Sequence, residues 1–246
     1  MPENDIISVE KKGNVKIIRI GKGDSLNPLD IDLLERITGE ICSGEEVKII
    51  TGSDRAFSAG ANIRNFDGMN GEKAHEFSMK GNMLFNRIAG SETPVIAAIK
   101  GYSLGGGMEL ALSCDLRVVS PEAKLGLTEI NLGILPGWGG IKRMRALIGE
   151  EKTAYLVMTG TILTGKEAYG MGLASFMDDD PLRKAMELAE EISKKSYNSL
   201  MLIKKLLRHS YDPGDESTAF GKAFDHRDSK EGIESFLQKR KPNFRN

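Results

Sequence analysis

Short apolar runs and glycine-rich breaks alternate through the first half of the chain, while stretches with apolar residues three and four apart fill the second. Residues 6–10 and 15–20, on either side of Lys12, Gly13 and Asn14, predict two strands of a hairpin. Asn27, Pro28 and Asp30 open a helix over 31–41, in which Ile31, Leu34, Ile37 and Ile41 share one face. Residues 47–51 (VKIIT), 94–100 (PVIAAIK) and 116–120 (LRVVS) predict buried strands, and 80–88 a helix. Residues 64–79 are polar with weak periodicity, which predicts a mobile flap. Further on, 141–148 and 151–158 read as helices, and Thr164 with Glu167 forms a capping-box pattern opening another that ends at Gly170 to Gly172. Residues 174–177 read as a short edge strand. Leu182, Ala185, Met186, Ala189, Ile192, Leu200, Ile203 and Leu207 make 181–209 one amphipathic helical region. Asp212, Pro213, Gly214 and Asp215 break it, and helices over 216–224 and 228–239 follow, with Phe220, Phe224 and Phe236 packing on the core or on another subunit. Strands first and helices later predict a layered α/β core with a helical C-terminal part.

Two of the breaks carry candidate chemistry. Residues 101–115, GYSLGGGMELALSCD, run from a strand through Gly105, Gly106 and Gly107 into good helix formers. Three consecutive glycines suit a sharp turn or a close approach far better than a helix interior. A helix start presents unpaired N–H groups and the positive end of the dipole, so this turn can hold a phosphate or a developing oxyanion. Residues 52–63, GSDRAFSAGANI, form a second loop of small residues directly after a strand, where layered α/β folds build their sites. Glu109 lies one short turn inside the glycine-led helix, and Glu129 lies in the Gly- and Pro-broken stretch 125–140, LGLTEINLGILPGWGG. Two glutamates in different environments can divide acid and base work around an enolate. Taken singly, Glu109 also fits a helix-start carboxylate favoured by the dipole, and Glu129 a surface loop residue.

Composition narrows the classes without choosing among them. The 246 residues fit one domain with a full core, and a formal net charge of −1 supplies no global field for nucleic acid or membrane. Cys42 and Cys114 lie far apart without CxxC spacing, which argues against zinc and against disulfides and predicts two buried thiols; the 3 histidines stand clear of any metal-ligand spacing. The first residues, MPENDIISVEKKGN, carry no apolar signal core or Arg-rich presequence, and nowhere do 18 apolar residues run together, so a cytoplasmic protein is expected.

Four stretches in a fixed order resemble the crotonase, or enoyl-CoA hydratase/isomerase, family: 56–63 (AFSAGANI), 101–115, 125–140, and 163–174 (LTGKEAYGMGLA). Residues 228–244, DSKEGIESFLQKRKPNF, are similar to the family's closing helix, so the resemblance covers the chain nearly end to end. It implies a spiral of ββα units forming two roughly perpendicular sheets, with a core over 1–190 and a C-terminal helical region over 191–246 that assembles homotrimers and often hexamers. It also implies an acyl-CoA substrate whose thioester oxygen is held by the N–H groups of Ala61 and Gly106. Coenzyme A then enters as part of the substrate, with no separate cofactor. Glu109 would position and activate water and Glu129 would move the proton at the α-carbon. Ala59, Asn62, Ile63 and Arg64 would line the path of the CoA moiety, with Arg55 and Arg64 as phosphate partners. The chain departs from the family pattern in carrying Asn62 where Asp is common, and Thr128 where proline is common before the second glutamate.

The expected activity is hydration of a 2-trans-enoyl-CoA, with Δ3,Δ2-enoyl-CoA isomerisation as the alternative. Both glutamates being present favours hydration, since isomerases of the family typically work with one. Lys184, Lys194, Lys195, Lys204, Lys205 and Arg208 could form a basic RNA-binding stripe, but Glu187, Glu190 and Glu191 interleave with them and favour a solvated face. A dinucleotide loop fails on pattern, because GYSLGGGME is not GxGxxG.

Overall fold

The computed structural model describes residues 7–21, 25–208 and 212–244. Ile6 of the first expected strand and His209 of the expected helical region lie outside them. Strands β1 (Ile7–Lys12), β2 (Val15–Ile20), β3 (Val47–Thr51), β5 (Val95–Ile99), β7 (Leu116–Val119) and β10 (Phe176–Met177) form one six-stranded sheet in the order β1-β2-β3-β5-β7-β10. It is parallel apart from the β1–β2 hairpin. A second sheet joins β4 (Ala56–Ser58), β6 (Tyr102–Leu104), β8 (Lys124–Gly126) and β9 (Leu163–Thr164).

A repeat hidden in the sequence becomes visible here. Each of three successive units sends its first strand (β3, β5, β7) to the large sheet and its second (β4, β6, β8) to the small one. Each then enters a helix: α2 (Gly71–Ala89), α3 (Gly106–Ser113) or α4 (Gly140–Ile148). The second strands have three residues each, too few for alternation to register in the sequence.

The large sheet is covered on both faces, which is why its strands read as near-continuous apolar runs. Ile18, Ile20, Ile50, Ala97 and Ile99 face a core shared with α2, α3 and α1 (Ile31–Ile41), while Val15, Ile17, Ile49, Ile96 and Ala98 face Ala185 and Ala189 of α7 (Pro181–Ser193). Helix α1 starts where expected, with Asp30 accepting from Leu33 N at 2.8 Å.

Three expectations change. The stretch 64–79 is not a structureless flap: after a 3-10 turn at Ile63–Phe66, α2 begins at Gly71, capped by Asn70 on Lys73 N. Its first turns are exposed on most sides, so amphipathic periodicity is weak until Leu84, Phe85 and Ile88 reach the core. The region 181–209 is two helices, α7 and α8 (Tyr197–Arg208), separated at Ser196, whose hydroxyl accepts from Ser199 N and donates to Asp228 Oδ2. Cys114 is buried but Cys42 is exposed, at the C-cap of α1. Between α4 and α7 lie α5 (Glu150–Thr159) and α6 (Gly165–Met171), and α9 (Pro213–Asp225) and α10 (Arg227–Leu237) close the chain. The C-terminal helices fit the trimerisation region that the resemblance implies, and the architecture is a two-sheet α/β one. No helix among the described residues is long and apolar enough to cross a membrane.

Candidate active site

The two glycine-bearing loops meet. After β4 the chain turns at Gly60, whose φ of 101° favours glycine. Ser58 Oγ accepts from Gly60 N at 3.1 Å and donates to Asn27 O at 2.8 Å, while Leu29 N reaches Gly60 O at 2.8 Å and Asn62 N reaches Leu29 O at 2.9 Å. This ladder fixes Ala61 and leaves its own N–H out of the pairing. Across from it, Gly105 begins α3 at φ 50° and ψ −125°. The approach is close: a Cβ on Gly60 would lie 3.1 Å from Gly106 N, one on Gly106 would lie 3.3 Å from Ala61 N, and one on Gly107 would collide with the Ser58 carbonyl. Among the described residues neither Ala61 N nor Gly106 N has a protein acceptor. Two unpaired N–H groups side by side at a helix N-terminus are donors for an oxyanion.

Both glutamates border this turn. Glu109, 2% exposed, accepts through Oε1 from Trp138 N at 2.8 Å and from Gly140 N at 2.9 Å. Glu129 opens the 3-10 turn Glu129–Leu132, and its Oε1 would lie 3.3 Å from a Cβ on Gly105. Its Oε2 is buried and has no hydrogen-bond partner among the described residues. Burial first, and the charge of Glu129 second, push the Glu109 carboxyl up to about 7 against its two N–H bonds and the Arg143 guanidinium. Burial likewise raises Glu129. Carboxyls interacting in this way titrate as a pair.

The sequence model of the enoyl-CoA hydratase/isomerase family matches residues 10–246. The chain belongs to that family. A probable enoyl-CoA hydratase of Bacillus subtilis is 39% identical over 234 residues, covering 89% of this chain and 91% of the relative. A short-chain-enoyl-CoA hydratase of Clostridium acetobutylicum is 35% identical over 257 residues, covering 98% and 97%. The crystal structure of an enoyl-CoA hydratase from Bacillus anthracis superposes with a TM-score of 0.90 at 33% identity, covering 97% of this chain and 98% of that one. This enoyl-CoA hydratase/isomerase family member is therefore an enzyme.

The other candidate residues of this family member lie after β4, except Arg55, which precedes it. Ala59 is half-buried, with its N–H on Leu26 O at 2.8 Å. Asn62 caps the 3-10 turn, accepting from Arg64 N at 3.2 Å, a task Asp could also perform, so the departure from the family pattern leaves the cap intact. Ile63 and Arg64 are exposed directly after it. Arg55 is exposed on the far side of β4 from Ala61, and its carbonyl accepts from Tyr102 N at 3.1 Å.

Three supports of the site are not announced by any motif. Asn27 is buried at a left-handed φ of 53°, and its Nδ2 holds Ala56 O and Phe57 O at 2.7 and 3.2 Å. Trp138 and Gly140 hold Glu109 through backbone N–H groups, which no side-chain pattern reports. Arg143 on α4 binds Trp138 O at 2.7 Å and Asn86 Oδ1 at 2.6 Å. The one available signal is the lone tryptophan inside PGWGG, a large apolar residue where the chain otherwise turns.

Proposed function

We propose that the chain is an enoyl-CoA hydratase, adding water reversibly and syn across the double bond of a 2-trans-enoyl-CoA. The observation that supports this best is one buried and one half-buried carboxyl, with unequal surroundings, beside one pair of free N–H groups. Glu109 Oε1 receives two N–H bonds and the field of Arg143, which favour the anion there. Glu129 Oε2 is buried without a partner, which favours the proton there, against the N–H groups of Glu129 and Thr128, which favour the anion less than burial disfavours it. Placing the proton on Glu129 also removes the charge that raises Glu109, so the singly protonated pair is self-consistent near neutrality.

In the reaction Glu109 takes a proton from water as the water oxygen bonds to the β-carbon. The double-bond electrons shift toward the thioester, whose oxygen becomes an enolate held by Ala61 N and Gly106 N. Glu129 then gives its proton to the α-carbon as the carbonyl re-forms. The pair gains one proton and loses one, so its total is unchanged. The CoA moiety would run along Ala59, Asn62, Ile63 and Arg64, with Arg55 and Arg64 toward the phosphates and coenzyme A arriving only as part of the substrate. Residues 191–246 would assemble a homotrimer or a hexamer. Exposed Phe220, Phe224, Phe236 and Leu237 support this.

The test is loss of absorbance of the conjugated thioester across a series of enoyl-CoA chain lengths, beginning with crotonyl-CoA. No loss at any length, together with double-bond migration in a 3-enoyl-CoA, would assign the isomerase activity instead.

A further inference from the structure

The indole of Trp138 lies between the oxyanion turn and a helix that contributes no reacting group. On one side, a Cβ on Gly106 would come 2.5 Å from Trp138 Cζ3; on the other, a Cβ on Gly81 of α2 would run into the pyrrole edge of the same ring. The ring therefore spans the full gap between α2 and the start of α3, with a glycine notch at each end. Phe77 and Phe85 of α2 hold it at centroid distances of 5.2 and 5.5 Å, and Phe66 backs Phe77 at 5.6 Å.

The same helix also grips the backbone on which the indole hangs. Ser78 Oγ and Asn82 Nδ2 both donate to Gly137 O at 2.6 Å, and Asn86 accepts from the Arg143 guanidinium that donates to Trp138 O. Trp138 N in turn donates to Glu109 Oε1. One residue thus touches the oxyanion donor with its side chain and the proposed base with its main chain, and α2 fixes both.

We propose that Trp138 is a positioning residue through which helix α2 sets the relative placement of the Gly106 N–H and the Glu109 carboxylate. The inference rests on the hydratase reading for its kinetic consequences, but its geometric content does not. The charged and titratable groups facing Glu109 are Glu129 on the 3-10 turn and Arg143 on α4; Arg143 is itself held by Asn86 of α2, so the test changes Gly81 and leaves Asn86 in place.

Gly81→Ala makes the test, because its methyl displaces the indole from a helix that bears no proposed catalytic group. The kcat for crotonyl-CoA is expected to fall about tenfold or more, as for misplacement of a reacting group by a fraction of an ångström, while KM changes little. The acid limb of the kcat profile should move to higher pH, since weaker N–H bonds to Glu109 favour its protonated form. Trp138 is the chain's 1 tryptophan, so its emission reads the ring directly. In the wild-type protein the emission should titrate with the Glu109–Glu129 pair, whose Glu109 carboxyl lies above its ordinary value. That step should vanish in Glu109→Gln and shift upward in Gly81→Ala.

A displaced indole with unchanged kcat and acid limb would overturn the proposal. So would an emission spectrum unmoved by Gly81→Ala, or a titration that persists in Glu109→Gln. If Gly81→Ala fails to fold, Trp138→Phe, which leaves both notches partly unfilled, carries the same kinetic and pH expectations. If the wild-type protein hydrates no enoyl-CoA, the hydratase reading fails, and the emission titration still decides the positioning role.

Discussion

Glu109 is buried and Glu129 half-buried, and they are held by different means. Glu109 sits under two N–H donors inside α3, while Glu129 keeps one oxygen buried without a partner. Glu109→Gln and Glu129→Gln should each lower kcat for hydration by roughly a hundredfold or more, the usual contribution of a positioned acid or base. Steady-state kinetics across crotonyl-CoA concentrations checks this, and full activity in both would sink the mechanism. The raised Glu109 carboxyl also has a thermodynamic consequence. A carboxyl whose folded value lies near 7 instead of 4.5 favours folding fully only below its unfolded value, and that contribution is lost as pH rises through about 7. Glu109→Gln should therefore match the wild-type protein near pH 4 and exceed it above pH 7, by up to on the order of 3 kcal/mol. Urea unfolding at the two pH values measures the difference, and an equal gain at both would refute it.

At the scale of elements, the start of α3 is pressed against the loop after β4. A methyl on Gly107 would collide with the Ser58 carbonyl, the residue whose hydroxyl supports Gly60. Gly107→Ala is expected to destabilise by about 1–3 kcal/mol, the range for overpacking, and to lose most activity because the two donor loops move apart. Thermal unfolding together with the hydration assay tests both halves. An active, fully stable variant would show that the loops tolerate separation. Helix α8 carries a different lesson. Two of the six cations that formed a basic stripe in sequence turn inward onto one carboxylate. Lys204 Nζ meets Asp115 Oδ2 at 2.7 Å and donates to Ser91 Oγ and Thr93 O at 2.8 Å, while Arg208 meets Asp115 Oδ1 at 3.0 Å. Asp115 also accepts from Val95 N at 2.8 Å, so this cluster docks α8 at the start of β5. Lys204→Ala should cost on the order of 3 kcal/mol in chemical denaturation, because it leaves a partly buried carboxylate short of a partner. A change under 1 kcal/mol would mean that Arg208 alone suffices.

For the whole molecule, the last helices leave a group of large apolar side chains uncovered, while others, Leu135 and Met158 among them, are exposed elsewhere. Phe236 is 84% exposed and Phe220 68%, far more than a core aromatic would be. Of the two partners expected for these side chains, core or another subunit, the core is excluded within this chain. In the proposed trimer or hexamer, Phe220→Glu with Phe236→Glu should lower the mass in light scattering to that of a monomer; an unchanged assembly would place the contact elsewhere, and a monomeric wild-type protein would refute the proposed assembly.

The elements with strong local patterns are legible in the sequence itself: α1 with its Asp30 cap, the runs of β2, β3 and β5, and the capping box at Thr164. The glycine turn and the two glutamates stand out as candidates in the sequence, while the choice of Ala61 and Gly106 as donors, and the pairing of all four, depends on the family resemblance. What stays hidden is whatever depends on neighbours distant in sequence. Three-residue strands have no period of their own and exist because β4, β6 and β8 align side by side. The first turns of α2 are held by Asn70 and by contact with Gly137, not by a stripe. Sequence alone determined which residues could do the chemistry, because residue type and local conformation are properties of short segments. Only the tertiary structure decided that Glu109 is buried under main-chain donors beside Trp138, because burial and main-chain hydrogen bonds belong to the packed chain.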